Sequence, residues 1–359
     1  MNEQIDLPAH PRILVVALRR LGDVLLTTPL IRSLRRAWPL AKIDILVFSD
    51  TAAILDGNPD IDDVISAPQR PGAVQTVSLL WRLWRDYDLA ITTQAGDRPT
   101  FLAVIAGRKR VGPVEHRLIG RIKQLMLDRH LPMGERVHRV EDVLSLASLL
   151  GIPPVADVVC PHAAQRSELL PSGPYAVIHA APMFRYKQWH AQGWRAAASH
   201  LAAQGLGVVV TGGPGEAERL YLDEIWNGAD VHRLDGKLSW PELTAALSGA
   251  RVFIGPDTSV THLAAAAGCP TVALYGPTDP RLWGPWPASG LATPWEATGT
   301  TQQRGNVWLV QNPLPCQPCQ HEGCLRHLHS YSRCLDEQGA GPVIAALDCA
   351  LTSGKNSEN

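Results

Sequence analysis

Four phenylalanines and four methionines are few for a chain of 359 residues. Long apolar runs are missing too. No stretch approaches the roughly 20 apolar residues that a membrane-spanning helix needs. The opening MNEQIDLPAHPR has acids and no apolar segment, unlike a secretory leader. Excess charge is also absent: 33 Lys and Arg face 34 Asp and Glu, for a net charge of −1. Nothing global therefore draws the chain to nucleic acid. What is present, 45% hydrophobic and 19% charged residues, is the composition of a soluble globular protein. The expected compartment is the cytoplasm. Seven cysteines there are expected as thiols or metal ligands rather than disulfides. Eleven tryptophans are the aromatic surplus. Most are expected to pack, with a few free to line a sugar site.

The length exceeds one ordinary core, so two domains are expected. Residues 12–18 (RILVVAL) are a continuous apolar run, as in a buried parallel strand. Residues 23–37 carry leucines and isoleucine at helical spacing. Strands are expected at 42–48, 63–66 and 88–93, with helices at 51–55, 74–86, 100–106 and 140–150. Such alternation predicts an open α/β sheet with right-handed crossovers. Residues 151–173, rich in proline and polar side chains, read as an interdomain connection. A second α/β series follows, with strands at 175–179, 207–211, 252–254 and 271–275. Residues 285–306 read as a mobile loop and 342–351 as a terminal helix. The resulting domains are 1–165 and 172–340, with a helix and tail at 341–359. Two such halves in series predict a shared cleft at the carboxyl ends of their strands.

Candidate chemistry collects at those strand ends. Arg19-Arg20-Leu21-Gly22-Asp23 follows the first strand. Gly22 suits a tight turn, and Asp23 reads either as a helix cap or as a general base. This segment lacks G-x-G-x-x-G, which argues against a nicotinamide-dependent dehydrogenase. In the second half, Lys187 could meet negative charge on a departing phosphate, or be an ordinary solvated lysine. Gly212 and Gly213 allow close backbone approach to a ligand. Glu216 could accept from a ribose, or simply complement a helix start. Asp257, Thr258 and Ser259 gather hydroxyls and free N–H groups where a helix of small residues begins, a favourable place for phosphate. His262, on that helix, reads as a phosphate contact or as a core histidine.

Two further clusters stand apart. Cys316, Cys319, Cys324 and Cys334 are spaced C-x2-C-x4-C-x9-C, with His321, His327 and His329 interspersed. The spacing is compatible with a structural zinc and differs from common zinc fingers. Between residues 108 and 139 there are nine Lys and Arg against three Asp and Glu. That stretch, Arg117 and Arg121 included, reads as a solvated helical face or as a surface for an anionic acceptor or acidic leaflet.

The ordered motifs resemble the family 9 glycosyltransferases, the bacterial lipopolysaccharide heptosyltransferases. The resemblance rests on RILVVALRRLGDVLLTTPLIRSLRR with its GD and TxPL elements, KQW, GGPGE, GPDTSVTHLAAAAGCPTVALYGPTDP and the CQPC tail. The opening and SDTAAILDGNPDIDDVI are most similar to the heptosyltransferase III branch. The resemblance implies a GT-B fold, two Rossmann-like domains facing across a cleft. It implies inverting transfer of heptose from ADP-heptose to a lipid A-linked core oligosaccharide, with no metal required for catalysis. It implies Asp23 as general base and Lys187 as the cation on the leaving ADP. Gly22, Gly212, Gly213, Glu216, Asp257, Thr258, Ser259 and His262 fall to the donor. Arg19, Arg20, Arg117 and Arg121 fall to the acceptor. Ser259 stands where the family often has glycine. Peripheral contact with the inner membrane leaflet is expected, and no nucleic acid. The alternatives are another GT-B enzyme with a different donor or acceptor, or a non-catalytic module that binds core oligosaccharide.

Overall fold

A computed structural model describes residues 3–115, 118–132, 137–162 and 167–356. The chain divides into two compact units, Met1–Pro161 and His162–Asn359.

In the first unit the strands are β1 (Arg12–Val16), β2 (Lys42–Phe48), β3 (Asp63–Ala67), β4 (Tyr87–Thr92), β5 (Gly107–Val114) and β6 (Arg129–Pro132). They pair in parallel in the order β3-β2-β1-β4-β5-β6. The helices are α1 (Leu21–Leu25), α2 (Thr28–Ala37), α3 (Ala73–Leu83), α4 (Asp97–Ala106), α5 (Leu118–Met126) and α6 (Arg139–Leu149). One core gathers Leu14 and Val16 of β1 with Leu46, Ile65, Ala90, Leu102 and Ala103, all buried. Their apolar runs are what a strand covered on both faces requires.

The helix expected over 23–37 is broken in two. Pro29 lacks an N–H and its ring opposes the carbonyl one turn back, so the helix cannot run through it. The carbonyls left open are recovered by side chains: Thr27 Oγ1 donates to the Asp23 carbonyl (2.8 Å) and Thr28 Oγ1 to that of Leu25 (2.7 Å). The basic stretch after residue 107 also differs from a helical face, because its first part is β5. Strand pairing with β4 overrides the charge of its residues.

In the second unit the strands are β7 (Tyr175–His179), β8 (Gly207–Thr211), β9 (His232–Arg233), β10 (Val252–Pro256), β11 (Thr271–Leu274), β12 (Thr301–Arg304) and β13 (Val307–Val310). Their order is β12-β13-β11-β10-β7-β8-β9. Leaving out β12, this repeats the arrangement of the first unit, strand for strand. The helices are α7 (Ala191–Ala203), α8 (Glu216–Trp226), α9 (Trp240–Ser248), α10 (Ser259–Ala266), α11 (Pro280–Trp283), α12 (Arg333–Asp336) and α13 (Ala340–Asn356).

Of the stretch 285–306 expected as a mobile loop, residues 285–300 are without helix or strand, while 301–304 form β12. Trp286 and Trp295 are buried there, and β12 pairs antiparallel with β13. Few apolar residues mark β12 because an edge strand buries little. The terminal helix expected at 342–351 is α13, and it packs on α7, β10, β11 and β13.

Candidate active site

In an order 3-2-1-4 sheet, successive crossovers leave the first strand in opposite directions, which opens a crevice at the carboxyl ends of strands 1 and 4. Both units place their candidate residues at such a point.

In the first unit the crevice lies between the ends of β1 and β4. The Gln94 Nε2 amide donates to the Leu18 carbonyl (3.1 Å) and the Thr93 amide to that of Val16 (3.1 Å), which ties the two strand ends together. Asp23 is in the first turn of α1, whose N-cap is Arg20, without a side-chain cap bond. The Asp23 carboxylate is therefore not a cap. Its Oδ1 accepts from Arg19 Nε at 2.8 Å. Gly22 lies inside α1 and is not among the glycines with positive φ, so no left-handed turn accounts for it. Arg20 is exposed.

A second guanidinium faces Asp23, and sequence reasoning did not find it. Arg139 opens α6 just after the N-cap His138, whose ring accepts from the Val140 amide. It is only 6% exposed. Its Nη1 bonds Asp142 (2.5 Å) and its Nη2 the Thr93 carbonyl (3.1 Å). The remaining nitrogen, Nε, has no hydrogen-bond partner among the described residues and lies 3.8 Å from Asp23 Oδ1. Burial, then the nearby Arg19 charge, lowers the Arg139 pKa, while Asp23 and Asp142 oppose the shift. The carboxylate thus sits between one half-buried and one buried cation.

The expected anion surface at 108–139 is largely spent within the unit. Arg108 pairs with Asp88 and Arg110 with Asp128, while Lys109 donates to the Asp6 carbonyl. Lys123 is buried, bonded to the Ala95 carbonyl and to Asp97 (2.7 Å). Arg121 is exposed on α5, and Arg117 lies outside the described residues.

In the second unit the crevice lies between the ends of β7 and β10. After β7 the chain makes a short 3-10 turn, Arg185–Lys187. Trp189 fastens it. Its ring is buried, its Nε1 donates to the Gln338 carbonyl (2.7 Å), and it meets Trp194 edge-on at 5.0 Å. Gly193 is required beneath it, since a Cβ there would lie 2.3 Å from the ring. The tryptophan of KQW is thus a structural anchor for the lysine. Arg185 pairs with Asp336.

Lys187 Nζ reaches Asp257 Oδ2 at 2.5 Å, just beyond β10. The Thr278 hydroxyl donates to the same oxygen at 2.6 Å, and His262 Nε2 is 3.9 Å from Oδ1. Burial alone would raise the Asp257 pKa; the Lys187 and His262 charges and the bonds from Lys187 and Thr278 reverse this and hold it below the usual carboxylate value. Thr258 caps α10, accepting from the Thr261 amide (3.4 Å), and Ser259 is half-buried beside it. Five of these residues, Lys187, Asp257, Thr258, Ser259 and His262, were singled out in the sequence. Thr278 was not singled out, although it follows the Gly-Pro turn of the same signature.

The Gly-rich turn after β8 serves its own helix. The Gly213 amide donates to Glu218 Oε1 at 2.6 Å. A Cβ on Gly212 would meet Leu222 at 2.5 Å, and one on Gly213 would meet Glu218 at 2.6 Å. Glu216 is exposed, while Glu218 is the acid that holds the turn.

In the cysteine segment Cys316, Cys319, Cys324 and Cys334 are free thiols, and among the described residues no group of three or more His, Cys, Asp or Glu is placed to hold a metal. Burial, then the neighbouring thiols, pushes Cys334 up to about 12. The segment also braces the turn before Thr278: Gln317 Nε2 donates to the Gly276 carbonyl (2.8 Å), and a Cβ on Gly276 would meet Leu335 at 2.8 Å.

The family model of glycosyltransferase family 9 (heptosyltransferase) matches residues 77–326. The chain belongs to this family. It is a glycosyltransferase of the GT-B class. Lipopolysaccharide heptosyltransferase 3 of Escherichia coli is 31% identical over 285 residues, covering 74% of this chain and 83% of that protein. Among solved structures, E. coli ADP-heptose lps heptosyltransferase II superposes with a TM-score of 0.71 at 20% identity, covering 96% of this chain and 99% of that one. E. coli heptosyltransferase WaaC with ADP gives 0.67 at 24% identity, covering 84% and 93%. The matched segment contains Lys187, Asp257 and Thr278, whereas Asp23 and its Arg19 partner precede it. Among the described residues no helix is long and apolar enough to cross a membrane.

Proposed function

We propose that the enzyme transfers heptose from ADP-heptose to the inner core of lipopolysaccharide, with inversion at the anomeric carbon. The observation that carries this reading is the Lys187–Asp257–Thr278 cluster at the switch point of the second sheet, beside the capped start of α10. It offers a cation and a helix N-terminus to a diphosphate.

Asp23 acts as the base. As the acceptor oxygen bonds to the anomeric carbon, its proton passes to the Asp23 carboxylate. The bond from that carbon to the diphosphate oxygen breaks, and its electron pair leaves on ADP. Lys187 turns from Asp257 toward this charge, so stabilisation grows as the bond breaks. Arg139 and Arg19 hold the Asp23 carboxylate in place. Thr258, Ser259 and His262 belong to the donor, and Arg20 and Arg121 to the acceptor. The acceptor is lipid-linked, so the enzyme works at the inner leaflet as a peripheral protein.

A transfer assay with ADP-heptose and a panel of truncated core acceptors tests the reading. Heptose should appear on an inner-core acceptor. Thermal stabilisation by UDP or GDP in preference to ADP would overturn the donor assignment.

A further inference from the structure

The large exposed apolar residues of the first unit are unevenly placed. Val74 (82% exposed), Val77, Trp81 (78%) and Trp84 (64%) run along and just past α3. Their spacing of three, four and three residues keeps them on one helical stripe. Phe101 on α4, and Ile122 and Leu125 (90%) on α5, are exposed too. Apart from these seven, only Leu40 in this unit is large, apolar and exposed among the described residues. The crossovers β3-α3-β4, β4-α4-β5 and β5-α5-β6 all step the same way along the sheet. Right-handed connections therefore lay α3, α4 and α5 on one face. The contact of α3 with α4 and the Lys123–Asp97 pair joining α5 to α4 agree with this. Between α3 and α4 a cavity of about 340 Å³ opens, lined by Leu79, Leu80, Phe101 and Leu102 and by Arg98 among its polar residues.

We propose that this α3–α4–α5 face is the surface by which the enzyme lies on an anionic lipid bilayer. The proposal rests on the lipid-linked acceptor read above. Tryptophan suits the boundary, because its ring is apolar and its N–H reaches the headgroups. Charge selects the partner. The acids of this region are answered within the unit: Asp86 by Arg12, Asp88 by Arg108, Asp97 and Glu115 by Lys123. Arg70, Arg85 and Arg121 are exposed, and no carboxylate among the described residues neutralises them. Arg85 even occupies a left-handed position (φ 52°) that closes α3, where glycine would fit more cheaply. Cations around an apolar stripe attract an anionic surface. A second copy docking by a two-fold axis through this face would meet the same arginines.

The test is sedimentation of the full chain with vesicles. Phosphatidylethanolamine with phosphatidylglycerol should bind it, and phosphatidylcholine alone should not. Trp81→Ser with Trp84→Ser should weaken binding at least about tenfold. Arg70→Glu with Arg85→Glu should weaken it more than about tenfold, and only on anionic vesicles. Both double variants should keep wild-type melting temperature and wild-type turnover of a delipidated, water-soluble acceptor. That last measurement separates the two claims: loss of heptose transfer in every form would remove the functional reading without touching vesicle binding. Unchanged vesicle binding by both variants overturns the docking face. So does self-association of the wild type that the tryptophan variant abolishes.

Discussion

Asp23 and Asp257 occupy comparable places in two sheets of the same strand order, yet their surroundings differ in kind. Asp23 follows the first strand of its unit, and its charged partners among the described residues are guanidiniums, Arg19 at 2.8 Å and Arg139 at 3.8 Å. Asp257 follows the fourth strand of its unit, and both its oxygens have neighbours: Lys187 and Thr278 on one, His262 near the other. Arginine stays charged and keeps its proton at any working pH, so Asp23 has no donor that could compete for the role of acid. Lysine on a flexible stem can leave Asp257 for a stronger anion. One frame thus holds a carboxylate between two arginines and a carboxylate among a lysine, a threonine and a histidine.

The comparison can be broken first at its larger arm. Asp23→Asn should lower transfer about 10³-fold while leaving ADP affinity unchanged by calorimetry; a variant that transfers at the normal rate removes the base. Lys187→Ala should slow the single-turnover chemical step about 100-fold with a modest loss of donor affinity. An unchanged single-turnover rate would leave the lysine as Asp257's structural partner only. Arg139→Met should reduce turnover about tenfold through misplacement of Asp23, with partial rescue by Arg139→Lys and little change in the donor's KM. If melting falls but turnover of the folded fraction does not, Arg139 is a packing residue.

The smallest effect is in acid stability. Asp257 has a depressed pKa when folded. Its contribution is fully present above the unfolded carboxylate value, about 3.9, and is lost as pH falls through the lower folded value. Urea melts between neutral and acidic pH should show a shallower loss in Asp257→Asn than in the wild type. Equal slopes would mean that the Lys187–Asp257 pair adds nothing in the folded state.

Much of this was legible in the residues. The buried parallel strands announce themselves as apolar runs, and the turn at Asp257 as a Thr-capped helix start after such a run. Pro29 also carried the signal for the break between α1 and α2, which the leucine spacing masked. Other features were not readable. The charges of 108–110 suggested a solvated helix, but β5 is made by pairing with β4. Thr301–Arg304 looked like loop because an edge strand needs little apolar surface. Glu218, rather than Glu216, holds the Gly-rich turn because α8 turns only the former back toward Gly213.

By itself, then, the sequence determined the alternation of strands and helices, the two-fold repetition of the fold and the family. Those depend on periodicity and on short ordered motifs, which are local properties. Only the tertiary structure decided that Arg139 faces Asp23, that Thr278 and Lys187 share one oxygen of Asp257, and that most of the basic residues from 108 to 139 are spent inside the first unit. Each of these joins residues far apart in the chain. Their pairing is set by how helices and strand ends pack, and by the cost of burying a charge without a partner.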